Sequence, residues 1–279
     1  MILETFEKYG MIMKEFTAGS LIMKKSEQEK LVLEKLYLKR RLELIEVMDL
    51  LDVSESTVRR IFNVLESTGK VIRTHGGISI INDTVSDYSF DLLVKTHPDI
   101  KIAIAELASA EIHDGDIIYL DCGTTILSLC LKIAQLLRDG NYKSTQFFSN
   151  SLANLEILSP LTQVNLIGGK YRPNRKDFAG YMSELVLKEL HFTKSFLGAD
   201  GVGIPASFKA MDFDTARLDQ LVITRSDKVY VLADSSKFGK SSLVSYADAD
   251  DVDVIITDSK IDNVIAESLE SAGIMVMKA

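Results

Sequence analysis

The stretch Glu43 to Gly77, ELIEVMDLLDVSESTVRRIFNVLESTGKVIRTHGG, carries two short helical patterns, a tight turn between them and a basic, glycine-ended hairpin. Ile45, Val47, Met48, Leu50 and Leu51 supply the first helix, and Asp52 occupies the turn, where Asp tolerates left-handed backbone. Ser54 is a good N-cap for the second helix, its hydroxyl placed to accept from the orphan amides of the first turn. Val58, Ile61, Phe62 and Leu65 then recur at three- and four-residue spacing and make one apolar face. Ser56, Arg59, Arg60 and Asn63 project from the other face, where they can donate to phosphates or to base edges.

Gly69 is expected to end that helix, and Val71 to Arg73 and Ile78 to Ile80 alternate like the strands of a hairpin around His75-Gly76-Gly77. The layout is a winged helix-turn-helix, with the second helix in the major groove and Arg73 and His75 carried towards the backbone or minor groove. Short amphipathic helix pairs without any nucleic-acid role are common; the basic hairpin at the right distance is what favours DNA. The candidate DNA-contacting set is Ser54, Ser56, Thr57, Arg59, Arg60, Asn63, Arg73, His75, Gly76 and Gly77. Upstream, Ser26 and Glu29 form an S-x-x-E capping box that opens a first helix through about Leu38.

Length and charge agree with this division. A chain of 279 residues, 46% hydrophobic, has room for about two domains. The net charge of -8 argues at first against nucleic acid. Residues 23–80, however, hold 11 Lys or Arg against 9 Asp or Glu, so the acidity belongs to the remainder. So modest a local excess implies contacts doubled by a dimer or tetramer. Cys122 and Cys130 form no disulfide framework and fit a cytoplasmic protein with free thiols. His75, His97, His113 and His191 lack metal-ligand spacing, so no metal site is expected. No apolar run reaches transmembrane length and no signal-peptide pattern is present, so no membrane partner is expected. Residues 1–22 read as an extension or an over-called start, residues 23–81 as the DNA-binding domain, 82–100 as a linker and 101–279 as a second domain for effector sensing and oligomerisation.

From about residue 100, helix-like and strand-like segments alternate, which argues for an α/β domain with an open, largely parallel, Rossmann-like sheet. Ile102 to Ile112 reads as a helix and Asp116 to Leu120 as a strand. The strand discharges Asp121-Cys122-Gly123-Thr124-Thr125 into an apolar helix from Ile126 to about Leu137. Such a loop binds anions: Gly123 permits close approach, Thr124 and Thr125 offer hydroxyls and amides, and the helix dipole favours negative charge. An ordinary strand-to-helix turn with threonine caps would look the same. Further strand ends shift the balance, because they present Ser149-Asn150-Ser151, Gly168-Gly169-Lys170-Tyr171-Arg172, Gly198-Ala199-Asp200-Gly201 and Ala233-Asp234-Ser235-Ser236-Lys237. In one sheet those ends converge on one crevice. The hydroxyl, amide and basic residues suit a phosphate, and Asp121, Asp200 and Asp234 suit sugar hydroxyls.

These residues resemble the DeoR family of bacterial transcription regulators. The resemblance rests on V-S-E-x-T-V-R-R at Val53 to Arg60, H-G-G at His75 to Gly77 and D-x-G-T-T at Asp121 to Thr125. It continues through S-N-S at Ser149, G-G-x-x-R at Gly168, G-A-D-G at Gly198 and D-S-S-K-F-G at Asp234. It implies a sensor domain with the fold of ribose-5-phosphate and glucosamine-6-phosphate isomerases, which senses a phosphorylated sugar and releases a repressor from its operator. Carried over by position, Asp121, Gly123, Thr124 and Thr125 form the phosphate loop, with Arg172 and Lys237 as cationic partners. Ser149, Asn150, Ser151, Gly168, Gly169, Asp200 and Asp234 complete the expected effector set.

The chain also departs from the family pattern. Ile61-Phe62 replaces the usual Asp-Leu, Lys39 to Glu43 lacks the common glycine and suggests a tight or partly helical link, and the threonine-rich loop near Ser207 to Thr215 is altered around Asp214. Two alternatives remain: a sugar-phosphate isomerase-like enzyme, and a DNA-binding protein whose second domain only oligomerises. Val202 and Gly203 stand where an isomerase would place its carboxylate base, which disfavours catalysis. Clustered polar residues at the strand ends disfavour a pure assembly domain. No cofactor and no catalytic residue is expected.

Overall fold

The computed structural model describes residues 25–39, 41–67, 71–74, 76–80 and 89–279. The expected extension at 1–22, the helix stop at Gly69 and the wing-tip His75 therefore lie outside the described residues. The chain divides into two compact units, with the break at Tyr88/Ser89.

The first unit contains α1 (Lys25–Lys39), β1 (Arg41–Glu43), α2 (Leu44–Leu51), α3 (Glu55–Ser67), β2 (Val71–Thr74) and β3 (Gly77–Ile80). Val32 and Leu36 of α1, Val47 of α2 and Val58, Ile61, Phe62 and Leu65 of α3 meet Leu42, Val71 and Ile78 in one core. Burial of these apolar side chains is the main force holding so small a unit together. Asp52 ends α2 in the left-handed conformation, φ 51°, and its amide bonds Met48 O.

Two sequence expectations change here. Lys25 and Ser26 are both helical, so Ser26 lies inside α1 and not at its cap. The link at Arg41–Glu43 is a strand, neither a tight turn nor partly helical: it pairs antiparallel with β3 and gives a three-stranded sheet in the order β1-β3-β2. Leu42 points into the core while Arg41 is exposed, the alternation a half-buried strand requires. An E-x-x-E pairing then opens α2, Glu43 N donating to Glu46 Oε2 at 3.0 Å.

The second unit begins within the residues expected as linker. Its helices are α4 (Phe90–Val94), α5 (Pro98–Ser109), α6 (Thr124–Arg138), α7 (Leu152–Leu158), α8 (Tyr181–Leu187), α9 (Phe213–Thr224) and α10 (Asn263–Ser271). Phe90 is buried, its amide bonds Asn174 O at 3.0 Å, and Lys176 lies over its ring, which ties α4 to this unit. Helix α5 starts four residues before the expected Ile102 because His97 adopts φ 49° and Pro98 supplies a preset first turn.

Seven parallel strands form the central sheet: β4 (Ile117–Leu120), β5 (Gln146–Ser149), β6 (Val164–Leu166), β9 (Lys194–Gly198), β12 (Val229–Leu232), β14 (Val254–Thr257) and β15 (Met275–Lys278). Their order is β15-β14-β12-β9-β4-β5-β6. The remaining strands are a hairpin of β7 (Lys170–Arg172) and β8 (Asp177–Ala179), and a small antiparallel sheet of β10 (Gly201–Gly203), β11 (Ser207–Ala210) and β13 (Val244–Asp248). The chain runs outward from β4 to β6 and then returns to place β9 on the other side of β4. That reversal leaves a crevice at the carboxyl ends of β4 and β9.

Candidate functional site

Helix α3 displays the expected polar face. Ser54, Ser56, Arg59, Arg60 and Asn63 are exposed and Thr57 is partly so, while the opposite face is sealed in the core. The Ser54 hydroxyl lies 2.9 Å from that of Ser56 and 3.2 Å from that of Thr57, so the three hydroxyls form one cluster at the helix start. Arg59 is held by Glu55 one turn earlier, Nε to Oε1 at 2.7 Å. Arg60 makes no such bond among the described residues, which leaves its guanidinium available to an incoming phosphate or guanine.

The wing residues have mainly structural roles in the free protein. The Arg73 guanidinium lies 5.3 Å from the centre of the Phe62 ring, stacked back on α3, and does not reach outward. Gly76 has φ +85°, and a Cβ on Gly77 would stand 2.0 Å from Leu42 O. The paired glycines thus serve a left-handed turn and the close approach of β1 to β3. Ile61 and Phe62, the departures from the family pattern, fill the core beneath the helix and lie off its polar face.

At the crevice of the second unit, Gly123 precedes α6 with φ +135°, a conformation few side chains tolerate, and nothing lies within 4 Å of where its Cβ would be. Thr124 and Thr125 are already in the first turn of α6, which carries no acidic residue and no side-chain cap. Space is open beside Gly123, while Thr124 and Thr125 are themselves largely buried, so the dipole of α6 points to the topological switch point through the glycine.

Asp121 closes the back of this opening. Its Oδ2 accepts from Gly198 N at 3.2 Å and its amide bonds Phe196 O at 3.0 Å, so it ties β4 to β9. Burial first, with Asp177 nearby, holds its carboxyl pKa well above the usual range. On α9, Asp219 is 1% exposed, its Oδ1 is without a hydrogen-bond partner among the described residues, and burial followed by Asp121 pushes its pKa up. Two neighbouring carboxyls in so dry a place favour holding a proton.

The other expected effector residues divide into scaffold and surface. Ser149 donates to Leu120 O and accepts from Ser151 N and Asn154 Nδ2; Ser151 caps α7; Asn150 donates to Phe178 O. All three are buried. Gly169 admits Ser183, whose Oγ would be 2.2 Å from an added Cβ, and Gly168 O accepts from that same Oγ. Asp200 accepts from Met211 N, and Asp234 caps the short turn that carries Lys237. Of the rest, Gly123, Asp200 and Lys237 are partly exposed, while Thr124 and Thr125 are buried in the first turn of α6.

Arg172, expected as a cationic ligand, is instead a strut. It grips Asp177 with Nε at 2.8 Å and a second nitrogen at 2.5 Å, Asp212 at 2.7 Å and Thr215 at 2.9 Å. These bonds join the β7-β8 hairpin to the N-terminus of α9. Arg175 stands beside the same carboxylates, 3.5 Å from Asp177 and 3.5 Å from Asp212. Burial drives the Asp212 pKa up, but the Thr215 amide, the two guanidiniums and the Thr215 hydroxyl outweigh it and leave the carboxyl below its ordinary value.

Sequence reading missed Arg175, Asp177, Asp212, Thr215 and Asp219, and pointed to Asp214 where the structure uses Asp212. An Asp-x-x-Thr cap ahead of α9 was the available signal. It also missed Lys101, which occupies the head of the buried stripe Lys101, Ile104, Ala105 and Ala108 on α5. A cation at an apolar position in a helix repeat was its signature.

Comparison with known proteins agrees with both halves. The DeoR-like helix-turn-helix domain matches residues 29–84, and the DeoR C terminal sensor domain matches residues 96–259. The lactose phosphotransferase system repressor of Lactococcus lactis is 32% identical over 86% of this chain and 93% of that protein. A regulator of Bacillus subtilis, FruR, is 31% identical over 84% of this chain and 91% of its own length. The putative aga operon transcriptional repressor of Escherichia coli O157:H7 is 28% identical over 90% and 93% of the two chains. Among solved structures, a D-ribose-5-phosphate isomerase in complex with phospho-erythronic acid aligns at 17% identity and a TM-score of 0.39, covering 50% of this chain and 54% of that one, a likeness too distant to carry argument. With a winged helix-turn-helix exposing its polar helix face, a switch-point crevice in a parallel sheet, and family matches over both, the chain belongs to the DeoR family of transcriptional regulators.

Proposed function

We propose that this regulator is a cytoplasmic repressor of a carbohydrate transport or catabolism operon, that it binds its operator as a homodimer or tetramer, and that a phosphorylated sugar releases it. The observation that carries the reading is the N-terminus of α6, without a side-chain cap and with open space beside Gly123, at the switch point of the sheet in a chain that also exposes Arg60 on a recognition helix. A phosphate suits the helix end, and the sugar would extend towards Asp200. The named relatives support the operon class, since two of the three are called repressors and one of these carries the lactose phosphotransferase system in its name. Among the described residues no helix is long and apolar enough to cross a membrane.

Ligand and DNA are linked reciprocally: an effector that lowers operator affinity binds less tightly to the operator complex, by the same factor. The test is fluorescence anisotropy on a labelled fragment from the upstream region of the chain's own operon, titrated with protein and then with a panel of sugar phosphates. Release by one phosphosugar, and not by its unphosphorylated sugar, is expected. Binding to that fragment no tighter than to scrambled DNA, or indifference to every sugar phosphate, overturns the reading.

A further inference from the structure

Lys101 is buried in the first turn of α5 with fewer partners than its burial calls for. It is 4% exposed, on the face that α5 packs into the domain. An ammonium has three protons to donate. Among the described residues Nζ donates one hydrogen bond, to Leu93 O of α4 at 2.5 Å. The charged groups acting on it are both on the turn that leaves β12: Asp234, which favours the protonated amine, and Lys237, which opposes it. Asp234 is already engaged, accepting from Ser236 N while capping that turn. Burial, with Lys237 beside it, lowers the amine pKa to about 8.

Lys101 is nearly dry, donates one hydrogen bond among the described residues, and feels the ammonium of Lys237 as well as the carboxylate of Asp234, an arrangement that favours a further anion. Nothing in the packing of α5 requires a lysine there, since its neighbours in the stripe are Ile104, Ala105 and Ala108. We propose that Lys101 and Lys237 form an anion clamp, in which Lys101 grips the anionic group of the effector from the α5 side of the crevice. The inference rests on the reading of the crevice as a phosphosugar site and deepens it by assigning a residue. Leu93 O holds the ammonium in position beforehand, so little order is lost when the anion arrives. The bound anion supplies the acceptors that Nζ lacks and draws the amine back to its charged form.

The test uses full-length protein and inorganic phosphate as the probe, with thermal melting followed against chloride at matched ionic strength. A saturable upward shift is expected for the wild type. Lys101→Met, which keeps the stem and removes the charge, should weaken apparent phosphate affinity by about tenfold or more, as should Lys237→Met. Lys101→Gln keeps a donor without charge, guards against a misfolded Met variant, and should behave in the same way. The wild-type response should also fade between pH 8.5 and 9.5, where phosphate is already almost wholly dianionic while Lys101 continues to lose its proton. Wild-type phosphate binding in the Lys101 variants, with loss in Lys237→Met, or a wild-type response flat over that pH range, sinks the Lys101 assignment and leaves the crevice reading standing. A wild type stabilised neither by phosphate nor by any sugar phosphate removes both.

Discussion

On helix α3 of the DNA-binding unit most polar residues picked out for function are on the outside, and in the sensor unit most of them are inside. Ser54, Ser56, Arg59, Arg60 and Asn63 stand exposed on α3, whereas Asp121, Ser149, Asn150, Ser151 and Asp234 are buried at the strand ends. The same residue types therefore mean different things. A helix on a small core has one face to bury, so its polar side chains are available to a partner. A parallel sheet is covered on both sides, and the loops leaving it must first satisfy their own backbone and one another before anything faces a ligand.

Arg172→Ala tests that contrast most severely. If Arg172 is the strut described, its loss leaves Asp177, which is 0% exposed, without its bidentate partner, at a cost of about 3–5 kcal/mol in urea unfolding. If Arg172 were instead a ligand of the effector, stability would hold and only the effector response would fall. Arg60→Ala should act oppositely: operator affinity drops by about 1–3 kcal/mol in anisotropy titrations, while the melting temperature scarcely moves. Loss of folding in that variant would deny that α3 separates display from packing.

Asp219→Asn addresses the buried carboxyls through pH. The folded-state pKa of both Asp121 and Asp219 lies above the unfolded value, so the folded chain holds extra protons once pH passes about 4. Their contribution to stability is complete below that value and is lost as pH rises towards the folded pKa values. The variant should flatten this fall, giving urea midpoints at pH 5 and pH 8 that lie closer together than in the wild type; an unchanged slope refutes the assignment. The smallest effect is expected of Glu55→Gln. It frees Arg59 from an exposed ion pair worth at most about 1 kcal/mol, and should raise operator affinity by a few-fold at low salt.

Much of the DNA-binding unit was legible because its signals are local. The Val58-Ile61-Phe62-Leu65 period, Asp52 in the left-handed turn and the alternating wing strands each depend on residues within a turn or two. Strand β1 was not legible, since a three-residue strand shows itself only through its pairing with β3, whose residues follow more than 30 positions later. In the sensor unit the strand-loop-helix alternation was readable, and so was the Gly123-Thr124-Thr125 opening. The roles of the polar loops were not. Gly169 looked like a phosphate glycine and proves to be a socket for Ser183.

Sequence by itself determined the period of each element, the turn and cap chemistry, the division of charge between the two units and the order of motifs that marks the family. Tertiary structure alone decided that Arg172 braces Asp177, Asp212 and Thr215, and that Asp121, Asp219 and Lys101 are buried. Arg172 and Asp212 are 40 residues apart in the chain. A polar side chain reveals its type in the sequence, but whether its hydrogen-bonding capacity is spent or still available depends on which distant segments fold against it.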